Sequence, residues 1–251
     1  MDRVPTDPQQ DGVAFATGLA RRVAVSKVRL LDVIQAVVFD VGECLVNEAR
    51  EYGTWADWLG VPRHTFSAVF GSVIAGGLDY RETFQVFRPG FDLTEEREKR
   101  AAAGQPEWFD EEDLYPDVRS TLSALRSAGL WVGIAGNQTV RAGGILRALD
   151  LPNDMIATSD DWGVSKPDIA FFDAVAASMP CKPEEALYVG DRLDNDILPA
   201  TTAGFKTALI HRGPWGVIQK NNRQAAQVPT MRIDSLAELP DRIEALNLAA
   251  R

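Results

Sequence analysis

Histidine and cysteine are scarce in this chain, with two of each among 251 residues. Cys44 and Cys181 form no CxxC pair and no Cys/His cluster, which argues against a zinc site and points to a reducing cytoplasm. Cys44 reads as a small buried hydrophobe, and His64 and His211 as surface or packing residues. Long apolar runs are missing too. None approaches the roughly 20 residues that cross a bilayer, so a soluble protein with no membrane partner is expected. Positive charge is in deficit, with 26 Lys and Arg against 36 Asp and Glu and a formal net charge of -10. Nucleic-acid binders present a basic face, so nucleic acid is not an expected partner.

What is present is the material of a globular protein. The length fits one or at most two domains, and a hydrophobic content of 45% is enough for a sizeable core. Residues 1–34 differ from the rest. They begin with Pro5, Pro8, Gln9 and Gln10 and continue with Arg21, Arg22, Lys27 and Arg29 among small apolar residues. A secretory signal would need a compact apolar stretch and a small-residue cleavage site, which this segment lacks. It reads as a flexible or loosely docked extension, or as the product of an upstream start codon.

From Ala36 the periodicity becomes regular. Short apolar runs at 36–40, 131–135, 155–159, 186–190 and 206–210 predict strands buried on both faces, as in a parallel sheet. Helices are predicted between the later ones, at 116–128, 139–149, 168–178 and 195–203, with a last one from Pro240 to about Leu248. Alternating strands and helices predict a doubly wound α/β fold. One interval breaks the alternation: some 90 residues separate the first two strands, where a βα connection takes about two to six. An inserted helical module is expected there, with Trp55, Trp58 and Leu59 on one face and Phe66, Val69, Phe70 and Val73 on another. The charged run at 95–100 predicts a solvated helix face, with Glu95 pairing Lys99 and Glu96 pairing Arg100. Arg63, Arg81 and Arg88 are further cations of this module.

The ends of the strands carry the chemistry. Asp40 closes the first run, Gly136-Asn137 the second, Asp191 the fourth, and Lys166 follows shortly after the third. In open parallel sheets the ligand lies in the crevice beyond the carboxyl ends of the strands, so these groups are expected to converge. Two carboxylates, a lysine and a metal make a phosphate site. Gly143-Gly144 follows no strand in a GxGxxG pattern and is no nucleotide signature.

VVFDVGECL at 37–45, GIAGN at 133–137, SKPDIAFF at 165–172 and VGDRLDND at 189–196 together resemble the haloacid dehalogenase-like hydrolases with a helical cap inserted after the first strand. The resemblance covers about residues 35–240. It implies a Rossmann-like doubly wound core at 35–47 and 113–251, a helical cap at 48–112, and magnesium-dependent hydrolysis of a small phosphorylated metabolite. By the same resemblance Asp40 is the nucleophile, and Asp40, the Gly42 carbonyl, Asp191 and Asp196 form the metal set, with Asp196 either a ligand or an orienter of metal-bound water. Lys166, Gly136 and Asn137 are placed on the phosphate, with Lys166 also holding Asp40 ionised.

Two positions depart from the family pattern. Gly42 stands where an Asp usually protonates the leaving group, and Gly136 where a Ser or Thr usually touches the phosphate. Glu43 is the nearest carboxylate in sequence that can take over the proton transfer. Besides the phosphatase, two alternatives stay open: a binding or regulatory protein on the same fold, and a dehalogenase using Asp40 on carbon, in which Asp191 and Asp196 have no purpose.

Overall fold

A computed structural model describes residues 33–250, so the expected N-terminal extension lies almost wholly outside the described residues. A six-stranded parallel sheet forms the centre: β1 (Ala36–Phe39), β2 (Trp131–Gly136), β3 (Met155–Thr158), β4 (Ala186–Gly190), β5 (Lys206–Ile210) and β6 (Met231–Ile233). Their spatial order is β3-β2-β1-β4-β5-β6. The chain winds outward from β1 in both directions, so the switch point lies between β1 and β4. A crevice opens beyond their carboxyl ends, where Asp40 and Asp191 begin the next loops.

Successive side chains of a strand point to opposite faces, and β1 shows why an unbroken apolar run is required. Val37 and Phe39 pack on one side with Val132, Ile134, Leu187 and Val189. Ala36 and Val38 pack on the other with Phe171, Phe172 and Tyr188. Each later strand but β6 is preceded by a helix that covers the sheet, including α5 (Val118–Ser127), α6 (Val140–Ala148) and α8 (Ile169–Ser178); a short α7 (Ser159–Trp162) lies between β3 and α8, and α12 (Leu239–Ala249) closes the chain.

Between β1 and β2 the chain forms α1 (Ala49–Leu59), α2 (Arg63–Ala75), α3 (Glu82–Phe87) and α4 (Leu93–Ala102). These helices bury their own apolar cluster of Trp55, Phe66, Phe70, Ile74, Phe84 and Phe91, and Trp215 from the sheet-bearing part of the chain joins it. Trp215 lies on α10 (Gly213–Gln219), with its ring centroid 5.4 Å from that of Phe70 in an edge-on arrangement.

Three expectations need correction. The charged run on α4 is not a solvated face throughout, because Glu96 and Arg100 are buried. Lys99 does meet Glu95 at 3.0 Å, but Glu96 does not pair with Arg100. Glu96 accepts from Trp58 at 2.7 Å and from Arg88 at 3.1 Å, while the Arg100 guanidinium stacks 4.0 Å above the Trp55 ring. Residues four apart share a helix face, and this face turns toward α1, so Glu96 and Arg100 take partners other than each other, Glu96 also holding Lys99 at 2.9 Å. The helix predicted at 195–203 is a π-helical turn over Leu193–Ile197 followed by α9 (Leu198–Thr202). β6 and the short α11 (Arg223–Gln227) before it were not expected, since three residues carry too little periodicity to announce a strand.

Candidate active site

The loop after β1 turns sharply. The Asp40 amide still donates to Val189 on β4 at 2.9 Å, and then Leu45 and Val46 both donate to the Val41 carbonyl at 2.9 Å. Within this turn Glu43 adopts a left-handed backbone with φ 51°, a conformation that costs a non-glycine residue about 1–2 kcal/mol. The turn aims the Asp40 side chain into the crevice while Cys44, fully buried behind it, packs against β4.

Four sequence-predicted residues meet there. Lys166 Nζ lies 2.7 Å from Asp40 Oδ1 and 2.6 Å from Asp196 Oδ1. Burial pulls the Lys166 ammonium down, but the Asp196 and Asp40 carboxylates outweigh it and hold the group well above its ordinary value. Burial raises the Asp40 carboxyl to about 6 against the opposing pull of Lys166. Asp191 is pushed well above the usual carboxylate range by burial and then by Asp196 and Asp40. Carboxylate oxygens of Asp40, Asp191 and Asp196 lie within 4.8 Å of one another.

Three buried carboxylates facing one lysine leave negative charge without compensation, a costly state unless a cation joins them. Asp191 Oδ2 is buried and has no hydrogen-bond partner among the described residues, so one oxygen is free to ligate. The donor set is all oxygen, which suits Mg²⁺. Asp196 differs. Its Oδ1 takes Lys166, and its Oδ2 accepts from the Arg192 amide at 2.9 Å, so both oxygens are engaged.

The remaining predicted residues divide. Asn137 spends its carboxamide on the Lys166 backbone, donating to the carbonyl at 2.9 Å and accepting from the amide at 2.8 Å. Gly136 lies so close to Asp40 that a Cβ there would stand 2.5 Å from Asp40 Oδ1. The glycine thus gives the Asp40 carboxylate its place against β2. Glu43 turns away from the crevice: its carboxylate accepts from the Tyr115 hydroxyl at 2.5 Å and from the Glu48 amide at 3.2 Å. Burial raises the Glu43 carboxyl, and the Tyr115 hydrogen bond opposes the rise.

The crevice opens into a cleft of about 820 Å³ between the strand ends and the helices of the insertion. Tyr52, Tyr80, Arg81 and Arg97 line it from the insertion, and Arg192 and Trp215 from the sheet side. Arg81 is held by Asp79 at 3.0 Å, and the Arg192 guanidinium lies 4.6 Å from the Trp215 ring. Arg63 and Arg88 pair with Asp57 and Glu96 and do not line the cleft. His64 is exposed, and His211 meets Asp234 at 2.9 Å outside the cleft.

Sequence reasoning missed Glu48, Arg97 and Trp215. Trp215 carried a signal in the Gly213-Pro214 helix start. Glu48 carried none, since its place depends on how the chain folds back between Val46 and Ala49. Its carboxyl lines the cleft beside Gly42, pushed well above the usual range by burial and by the carboxylates of Glu43 and Asp40.

Known proteins resemble this chain in sequence or in fold. A glyceraldehyde 3-phosphate phosphatase of Methanopyrus kandleri is 37% identical over 135 residues, covering 53% of this chain and 57% of that protein. One of Methanocaldococcus jannaschii is 33% identical over 135 residues, with the same 53% and 57% coverage. The match thus spans little more than half the length of these relatives. Among solved structures, the putative hydrolase YfnB of Bacillus subtilis, bound to magnesium, superposes with a TM-score of 0.62 at 19% identity, covering 84% of this chain and 99% of that one. At that identity the likeness speaks for the fold alone. The family model of the haloacid dehalogenase-like hydrolases matches residues 34–204, and with this sheet and these strand-end residues the chain belongs to that family of hydrolases.

Proposed function

We propose that the protein is a Mg²⁺-dependent phosphatase of a small phosphorylated metabolite, working through a phosphorylated Asp40. The observation that carries this reading is the orphaned Asp191 oxygen beside Asp40, inside a buried set with more carboxylates than cations. A nucleophile acting on carbon without metal would give Asp191 no partner and no purpose. Relatives named as glyceraldehyde 3-phosphate phosphatases make phosphorylated trioses the first substrates to try.

In this reading Asp40, Asp191 and the Gly42 carbonyl hold Mg²⁺, with Asp196 beside them. The ion would lower the repulsion between carboxylate and phosphate and neutralise charge as it develops. The residues do the rest. Lys166 keeps Asp40 ionised and offers its ammonium to the phosphate. Asp40 attacks phosphorus, the ester oxygen departs, and water later cleaves the aspartyl phosphate. Backbone amides at 136–137 take the place of the missing hydroxyl in cradling the phosphoryl oxygens. Residues 48–112 form the cap, residues 35–47 and 113–251 the core, and the cytoplasm is the proposed location.

The test is phosphate release from triose phosphates and an aryl phosphate, with and without Mg²⁺, by wild type and Asp40→Asn. The amide is nearly isosteric and poorly nucleophilic, so turnover should vanish while the fold persists. Equal rates in the two proteins would overturn the mechanism.

A further inference from the structure

Gly42 removes the side chain that this family places beside the leaving group, yet the space is not empty. A Cβ built on Gly42 would stand 2.5 Å from Glu48 Oε1 and 2.8 Å from Glu48 Cδ. The Glu48 carboxyl therefore occupies the room into which a residue-42 side chain would extend. Gly42 has no left-handed backbone that would demand glycine; the obstacle to a side chain there is Glu48.

The approach of Glu48 is built into the loop. Gly42 and Val46 form an isolated parallel bridge, and Val46 also bridges to Leu114. The chain then turns so that the Glu48 amide donates to Glu43 Oε1 at 3.2 Å, which returns the side chain toward Gly42 at the entry to α1. Among the described residues, no donor hydrogen-bonds to either Glu48 carboxylate oxygen, although it faces the same cleft as Asp40, Lys166 and Asp191. Glu98 and Asp160 also line the cleft but are exposed, whereas the Glu48 carboxyl stands against Gly42. The other carboxylates near the site are committed. Glu43 is bonded to Tyr115, Glu51 to the Trp55 indole at 2.6 Å, Asp79 to Arg81 and Asp194 to Arg192.

We propose that Glu48 is the general acid and base of the reaction, delivering to the Gly42 position, from the start of the insertion, the carboxyl that the nucleophile loop lacks. The proposal rests on the phosphatase reading. As the Asp40 carboxylate forms a bond to phosphorus, the bond from phosphorus to the ester oxygen breaks. That oxygen keeps the electron pair and takes the Glu48 proton, leaving as an alcohol. The Glu48 carboxylate then removes a proton from water as the water oxygen attacks phosphorus. Asp40 is expelled as a carboxylate, inorganic phosphate leaves, and Glu48 is again protonated. The net change is one ester and one water converted to one alcohol and one phosphate.

Rapid-quench kinetics on Glu48→Gln, with Mg²⁺ and either p-nitrophenyl phosphate or glycerol phosphate, separate this role from a packing role. Nitrophenolate leaves without a proton, so the variant should release one nitrophenolate per enzyme in a burst. Turnover then slows, because the water step has lost its base. Glycerol phosphate needs the proton, so its burst should disappear and its turnover should fall by about 10²- to 10⁴-fold. Glu48→Ala with Gly42→Asp frees the space and puts a carboxyl on residue 42; it should turn over glycerol phosphate at least about 10²-fold faster than Glu48→Ala alone, the lower end of that range for one acid-base group. Wild-type rates on glycerol phosphate in Glu48→Gln, or losses by one common factor on both esters with no burst on either, would overturn the assignment. A wild type that releases no phosphate from either ester with Mg²⁺ would instead overturn the phosphatase reading, and this proposal with it.

Discussion

Asn137 and Lys166 are joined by two reciprocal hydrogen bonds, from the Asn137 carboxamide to the Lys166 carbonyl and from the Lys166 amide back to Asn137 Oδ1. The end of β2 thereby fixes the loop between α7 and α8, and with it the ammonium that bridges Asp40 and Asp196. Asn137 acts on the site through Lys166. Asn137→Ala removes both bonds, each worth about 1 kcal/mol net. A lower urea midpoint is expected, together with a kcat loss of about tenfold or more, since small misplacements of charged groups are costly in a preorganised site. A kcat equal to wild type in phosphate-release assays would show that Lys166 holds its place without Asn137.

Asp191 and Asp196 should fail in different ways. Asp191 has an orphaned oxygen and Asp196 has none. Asp191→Asn should raise the Mg²⁺ concentration for half-maximal rate by more than about 100-fold. Asp196→Asn should raise it by about 10- to 100-fold, as expected for a group behind the ligands, and should lower kcat by loosening Lys166. Mg²⁺ titrations of phosphate release check both. Equal Mg²⁺ requirements in the two variants would place Asp196 among the direct ligands.

The raised Asp40 carboxyl makes a pH prediction. Its value moves from 3.8 to about 6, with burial as the largest cause. Between those values the folded protein holds a proton that the unfolded chain has released, so the Asp40 contribution to stability falls as pH rises across that window. A cation at Asp40 would have to displace that proton, so Mg²⁺ should bind more weakly below about 6 than above. The Mg²⁺-induced rise in Tm should therefore be larger at pH 7 than at pH 5. Scanning fluorimetry with and without Mg²⁺ at the two pH values measures it. A rise independent of pH would show that Asp40 is not displaced from its proton by the metal.

The sheet was readable because β1, β2 and β4 are buried on both faces almost throughout and are built of apolar residues, which leaves an unbroken mark in sequence. Asp40 and Asp191 were readable because a polar residue directly after such a run falls at the crevice by topology, whereas Lys166, beyond α7, was readable through the SKPDIAFF motif. The course of the loop from Gly42 to Glu48 was not. It depends on one left-handed residue, Glu43, on the bridges made by Val46 and on space released by a missing side chain, and none of these has a period. Glu96 and Arg100 show a related limit. Spacing puts both on one face of α4, but only the packed helices show that this face is turned inward, where Trp55 and Trp58 outcompete the neighbouring charge.

Glu43 and Glu48 are neighbouring carboxyl groups with different surroundings, for which different roles are proposed, and a matched pair of variants tests the separation. Glu43 is held by the Tyr115 hydroxyl and itself accepts the Glu48 amide, so it acts by fixing the backbone from which Glu48 projects. Glu43→Gln keeps an acceptor for that amide but weakens a short charge-assisted bond to Tyr115. The expected loss is about tenfold or less, smaller than proton-transfer losses, and it should be the same factor for aryl and alkyl phosphates, because positioning serves both. Tyr115→Phe should reproduce it. Glu48→Gln, in contrast, should lower the ratio of alkyl to aryl rates, since only the alkyl leaving group requires the proton. The measurement is that ratio in wild type and the three variants. A ratio that falls in Glu43→Gln and stays at the wild-type value in Glu48→Gln would return the acid role to Glu43, and would require its side chain to leave Tyr115 and swing into the cleft when substrate binds.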